Sequence, residues 1–455
     1  MRTLNRLAFA GLMATTLLAG MAPPHMARAQ TAPAAQVPAP PFDATAKRQA
    51  IEAAAKLLTD DYIYPDKGVS AAVMLRQNLA AGTYDADATP GAFAAHVTKD
   101  LRDLLHDKHL RVFADGVLPD DLPPGPPPPE GLYGFAQVDR LKGNIGYVVL
   151  NGFERKDWSR LGADKAMGLI ASTDALIIDL RHNGGGDPLA VAYLVSFFFD
   201  AKTPVHVIDI VQRKLGTTDF DRQVDSTEPT PVSYLGKPVY LITSRWTFSG
   251  GEEFAYDMQT LKRGTLVGEA TGGGAHPGGG QPIGPGLILW VPTGRSESPI
   301  THGDWEGTGV QPDIAVPADQ AFAVAYATAL HALGRQTPAP ADAAEAVTEA
   351  HLLMPPRTTP AQGSEAALRR LITGTTEGHP PYDELPDPMA DRFRRGAARL
   401  QAVLPQLGAL QSLTFVEVDL MGDDIYEGRF AHGAVRFTFA LGSDGKISTF
   451  LFQEE

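Results

Sequence analysis

Proline decides first what this chain can become. Seven of the eleven residues from 119 to 129 are proline. A run so poor in backbone N–H groups cannot join a helix or the interior of a sheet. It reads as a stiff, extended connector. Residues 31–41 (TAPAAQVPAPP) and 336–362, rich in Pro, Ala and Thr, have the same character. These stretches cut the 455 residues into three parts, in keeping with ~150 residues per domain. The expected modules are 43–118, 131–335 and 363–455, and no internal repeat relates them.

The first 29 residues have a different purpose. Arg2 and Arg6 precede an apolar run over 7–20, and Ala27-Arg28-Ala29 offers a small-residue cleavage site. That is the pattern of a secretory signal peptide; the apolar run is short of the ~20 residues that span a bilayer. The mature chain is expected to be periplasmic or secreted, without a membrane span, beginning near Gln30. Removing three arginines and no acid takes the formal charge from -14 to -17. Such a surface repels phosphate backbones and speaks against a nucleic-acid partner. With no cysteine in the chain, thiol catalysis, disulfides, thiolate zinc and iron–sulfur sites are excluded.

Within the first module, apolar residues at spacings of three and four predict helices over 46–58, 71–79 and 90–105. Beyond the connector, short β-rich runs over 143–150, 175–180 and 239–243 alternate with helical stretches such as 189–199. Alternation of this kind predicts an α/β fold with a parallel or mixed sheet. The last module reads as helices over 363–371 and 389–410, then an antiparallel meander over 413–420, 425–430, 434–441 and 446–452, an α+β unit.

Two loops hold the chemistry. Residues 243–263 (TSRWTFSGGEEFAYDMQTLKR) run from a β-strand through a polar loop into a helix, which places Ser249 at the helix N-terminus. There it reads either as an N-cap or as a nucleophile whose oxyanion the free N–H groups and the helix dipole would stabilise. Glu252 and Glu253 fall in the dipole-favoured first turn. The second loop is Asp179-Leu180-Arg181-His182-Asn183-Gly184-Gly185-Gly186, whose glycines can form an anion-binding nest. The phosphate-loop and dinucleotide fingerprints are missing from it, so an oxyanion is the better guest than a nucleotide.

Residues 180–186, 247–253, 266–274 (LVGEATGGG) and 309–314 (GVQPDI), in this order and at this spacing, resemble the carboxyl-terminal processing (tail-specific) serine peptidases. The nearer branch is similar to tricorn cores and interphotoreceptor-retinoid-binding-protein-like members. The resemblance implies a crotonase-like ββα spiral catalytic core over 131–335. A small helical domain would precede it, and a cystatin- or NTF2-like unit would follow. It implies Ser249 as nucleophile. One branch of the family uses a lysine base, but Gly274 stands in that lysine's place, and Lys262 lies ~20 Å down the helix at 1.5 Å per residue.

The other branch uses an upstream histidine, and residues 105–112 (LHDKHLRV) resemble its motif. By position His109 is the base, with His106 as the neighbour to test against it. Glu306, in Trp305-Glu306-Gly307-Thr308-Gly309-Val310, takes the place of the carboxylate that orients the base. The oxyanion hole falls to Gly250 with Gly185 or Gly186, and Gly184 and His276 to the substrate cleft. Tricorn-type sites carry a serine directly before the histidine; here it is Lys108. His182, His276 and His302 show no metal-ligand spacing, so neither a metal nor a cofactor is implied. About thirty residues separate Leu110 from Gly143, too few for a PDZ domain. The expected activity is peptide-bond hydrolysis on peptides or unfolded proteins. A non-catalytic binding protein on the same fold is the alternative.

Overall fold

Caps written in the sequence start the first helices. In the computed structural model Asp43 accepts the N–H groups of Thr45 and Ala46 at the head of α1 (Ala44–Asp61). Pro65 opens α2 (Pro65–Ala80). Thr89 accepts the Ala92 N–H to open α3 (Pro90–Leu105), which stops at His106 in a left-handed conformation, φ 55°. A polar oxygen at the N-cap and proline at N1 meet the unsatisfied N–H groups of a first turn. The structure describes residues 42–114, 133–284, 286–336, 351–354, 358–385, 404, 407–418, 423–441 and 445–454. The signal peptide expected over 1–29, the tether expected after it, the connector 119–130 and most of the helix expected over 389–410 lie outside the described residues.

The helical module is not a domain of its own. Ile51, Leu58, Phe93, Val97 and Leu101 share one buried core with Ile283, Leu287, Leu289 and Val291. Those partners belong to β9 (Gly278–Gly284) and β10 (Leu287–Pro292). Strand β1 (Arg111–Ala114) follows α3 and pairs antiparallel with β10, Val112 opposite Leu289. The boundary expected near residue 118 therefore separates segments that share a sheet and a core.

A seven-stranded mixed sheet forms the centre. It contains β2 (Phe135–Leu141), β3 (Ile145–Leu150), β4 (Ala175–Asp179), β7 (Val239–Thr243), β8 (Thr265–Gly268), β12 (Ile314–Ala315) and β13 (His351–Met354). Their order is β12-β8-β7-β4-β3-β2-β13. The steps from β12 to β3 are parallel, and β3–β2 and β2–β13 antiparallel. Strands β4 and β7 are buried along their whole length, as parallel strands covered on both faces must be. Side-chain alternation sorts them: Leu176 and Ile178 pack on one face with α4 (Lys156–Ile170), α5 (Pro188–Ser196) and α6 (Gly250–Thr260). Ala175 and Ile177 pack on the other with α7 (Ala318–Ala332).

Strand β13 lies within the linker expected over 336–362, so that stretch also supplies an edge of the sheet. A second small sheet, β11-β5-β6, joins β5 (His206–Arg213), β6 (Phe220–Ser226) and β11 (Gly294–Glu297). In the last segment α8 (Ser364–Thr376) packs on a meander of β14 (Leu410–Val418), β15 (Asp424–Phe430), β16 (Gly433–Leu441) and β17 (Ile447–Glu454). Leu368, Leu371, Tyr426, Phe437 and Phe439 form its core.

Candidate active site

Ser249 stands where β7 hands over to α6. The loop between them is pinned to the chain after β4: Thr247 Oγ1 donates to the Leu180 carbonyl (2.7 Å), Ser244 Oγ to that of Arg181 (2.6 Å), and the Phe248 N–H to that of Asn183 (2.9 Å). Held this way, Ser249 adopts φ 52° and ψ -123°, a region that costs a non-glycine residue of order 1–3 kcal/mol. Its Oγ lies 3.2 Å from His109 Nε2. The pair joins residues 140 positions apart.

His109 arrives through the left-handed turn at His106 and through Asp107, whose Oδ1 accepts the His109 N–H (3.0 Å). Its ring lies against Phe248, centroids 4.7 Å apart. Burial pushes the imidazole down to about 4, with His276 adding to the shift and Asp107 opposing it. At neutral pH it is therefore uncharged, the form that accepts a proton. His106 is exposed and points away from this contact, into a cavity of about 270 Å3 lined also by Tyr64, Lys67 and Asp304.

Glu252 organises the floor of the site. Fully buried, its carboxylate accepts the N–H groups of Ser249 (2.9 Å), Gly273 (2.5 Å) and Gly274 (2.8 Å) and the hydroxyl of Thr271 (2.5 Å). One side chain thus fastens the serine turn to the glycine loop after β8. Sequence reasoning placed Glu252 only near the helix dipole; the signal available to it was the acid three residues after Ser249, the capping-box spacing.

The glycines divide by what surrounds them. Gly185 and Gly186 have φ 103° and 135°, and a Cβ on Gly185 would stand 2.7 Å from that of Ser249. Gly185 was expected to offer its N–H to an oxyanion, but that N–H already donates to Asn183 Oδ1 (2.9 Å). Gly186 N lies beside Gly250, 3.1 Å from where a Cβ on Gly250 would be. Gly184 is exposed, with open space around it. At Gly274 any Cβ would meet Phe248 and stand 2.8 Å from His109 Cε1, so no larger side chain fits at this position.

Two further expectations change. Glu306 makes no hydrogen bond to His109: its oxygens accept the N–H groups of Ala275 (2.5 Å) and Lys108 (3.4 Å). Nδ1 of His109 is buried without a partner. His276, expected in the substrate cleft, is only 4% exposed. Its Nδ1 lies 2.7 Å from Asp107 Oδ2 and 3.6 Å from Glu306 Oε2. Burial pushes Glu306 up to about 7, with His276 pulling it back and Asp107 adding to the rise. Lys108 reaches the Gly272 carbonyl with its Nζ.

Asp107, His109 and Glu306 each offer an atom within 4.8 Å of the others, a spacing a metal ion would accept. The two carboxylates, however, already accept N–H and O–H donors on all four oxygens. His182 and His302 are exposed and outside this cluster.

Parts of the chain are similar to known proteins. A tricorn protease from Thermoplasma volcanium is 29% identical over 139 residues, 30% of this chain and 12% of that protein. A chloroplastic carboxyl-terminal-processing peptidase 2 from Arabidopsis thaliana is 27% identical over 174 residues, 38% of this chain and 32% of that protein. This chain therefore spans less than a third of the length of either relative. Among solved structures, a photosystem II D1 C-terminal processing protease aligns with a TM-score of 0.40 and 15% identity, over 61% of this chain and 94% of that one. The model of Peptidase family S41 matches residues 144–316, from the start of β3 to the end of β12, and the chain therefore carries a Peptidase family S41 domain.

Proposed function

We propose that this chain is a secreted serine-type peptidase that cleaves peptide bonds through an acyl-enzyme on Ser249. The observation that carries the reading is the 3.2 Å contact between Ser249 Oγ and His109 Nε2, at a strained turn that opens a helix. In this reading His109 takes the hydroxyl proton as Oγ attacks the substrate carbonyl, then returns it to the departing amine. Water repeats the cycle on the ester. The oxyanion is received by the N–H groups of Gly250, an orphan donor of the first helical turn, and Gly186; one such donor is worth about 3–4 kcal/mol. The carboxylates of Asp107 and Glu306 stabilise the imidazolium across a short gap instead of orienting it by a direct bond. The surrounding core is read as the crotonase-like spiral that the motifs imply.

The test is a fluorophosphonate probe with peptide mapping, alongside turnover of a casein-derived peptide mixture. Labelling at Ser249, and loss of at least about 10^3-fold in kcat for Ser249→Ala, support the proposal. A folded chain that neither labels nor cleaves would favour the alternative, a non-catalytic binder of peptides or hydrophobic ligands.

A further inference from the structure

Apart from the Ser249 contact at Nε2, the hydrogen bonds around His109 hold its backbone and leave its Nδ1 without a partner. Asp107, 1% exposed, accepts the His109 N–H on Oδ1 and both the Tyr62 hydroxyl (3.0 Å) and His276 Nδ1–H (2.7 Å) on Oδ2. Glu306 grips the same stretch through the Lys108 N–H, and the glycine loop through the Ala275 N–H. His276 is the group that touches both carboxylates, and its Nε2 meets the Tyr64 hydroxyl at 3.3 Å. We propose that His276 is a positioning residue of the hydrolase, a buried cationic bridge that keeps Asp107 and Glu306 together against the segment bearing His109. The proposal rests on the reading of Ser249 and His109 as nucleophile and base.

The physical need is plain. Two carboxylates within 4.8 Å repel strongly in a poorly solvated site, and a cation between them opposes the protonation that this repulsion and burial favour. An imidazolium at His276 supplies that cation. Burial works to lower the His276 pKa, but the hydrogen bond and charge of Asp107 outweigh it and the net shift is upward. The groups facing His276 come from four places. Tyr62 and Tyr64 follow α1, with Lys67 in α2; His106, Asp107 and His109 follow α3. Asp304 and Glu306 follow β11, and Arg295 within β11 acts on Tyr64. The cavity between them gives the bridge a route for protons from the helical side, separate from the Ser249 side.

Asn in place of His276 retains a donor at the Nδ1 position but no charge, which separates geometry from electrostatics. For His276→Ala we expect kcat to fall about tenfold or more with KM within about twofold, and the acid limb of the kcat profile to move to higher pH. His276→Asn should recover part of kcat while the limb stays displaced. Wild-type kcat and an unmoved limb in a folded His276→Ala protein would overturn the proposal, as would a rise in KM alone. The bridge is also read without turnover, by NMR titration of the histidine ring protons in the Ser249→Ala chain. There His276 should titrate above an ordinary histidine, and titration at or below the ordinary value would overturn the bridge. Absence of any Ser249-dependent cleavage in the wild type would instead overturn the peptidase reading and leave the NMR result standing.

Discussion

At the scale of residues, Glu252 is the sharpest case. Glu252→Ala would leave four donors buried and unpaired, at about 1–3 kcal/mol for each that cannot relax. We expect a loss of about 3 kcal/mol or more in the unfolding free energy from denaturant titration, with Glu252→Gln milder. Gly185→Ala would drive a methyl into the Ser249 Cβ and the Gly250 backbone at φ 103°; hydrolysis should fall by at least about 10^2-fold, and the melting temperature should fall with it. The pH dependence follows from two shifts of opposite sign. His109, lowered to about 4, contributes stability that is present above its ordinary value and lost as pH falls through about 4. Glu306, raised to about 7, contributes stability that is present below its ordinary value and lost as pH rises through about 7. Since the base stays neutral down to about 4, Glu306 should set the acid limb of kcat/KM near 7. Glu306→Gln should lower the plateau and erase that limb, which a pH–rate profile reads directly.

At the scale of elements, the three N-terminal helices and the sheet of β1, β9 and β10 stand or fall together. Leu289, fully buried between them, should cost about 2–5 kcal/mol on truncation to Ala. A fragment covering 131–335 alone would expose Ile283, Leu287, Leu289 and Val291 and should be insoluble; a soluble, cooperatively melting fragment would contradict the shared core. Helices of this segment were legible because their signals are local: Thr89-Pro90 starts α3, and Phe93, Val97 and Leu101 mark its face. Strands β6 and β9 were not. The sequence FDRQVDS of β6 is almost wholly exposed and GGGQPIG of β9 has poor strand propensity. Such segments become strands because a partner, β5 or β10, supplies the ladder.

At the scale of the whole molecule, the division by proline-rich segments is real in composition but not always in structure. The stretch over 336–362 contributes β13, whose pairing covers the outer edge of β2. A chain ending at residue 340 loses that strand and should melt lower and aggregate more readily than one ending at 362, because a bare edge recruits other chains. Equal melting temperatures would show that the strand adds nothing.

The sequence by itself determined the three N-terminal helices and the start of α3, though not that of α2, which begins at Pro65 rather than at 71, and with them the buried parallel strands, the α/β class and the loops from which chemistry could come. It did so because caps, periodicity and glycine runs act over a few residues. Only the tertiary structure decided how the loops are used. His109 and Ser249 meet across 140 positions, Asn183 takes the Gly185 N–H, and His276 joins the two acids behind the base. Those outcomes depend on which donors and acceptors the packed fold brings within reach of one another, and no spacing along the chain encodes that.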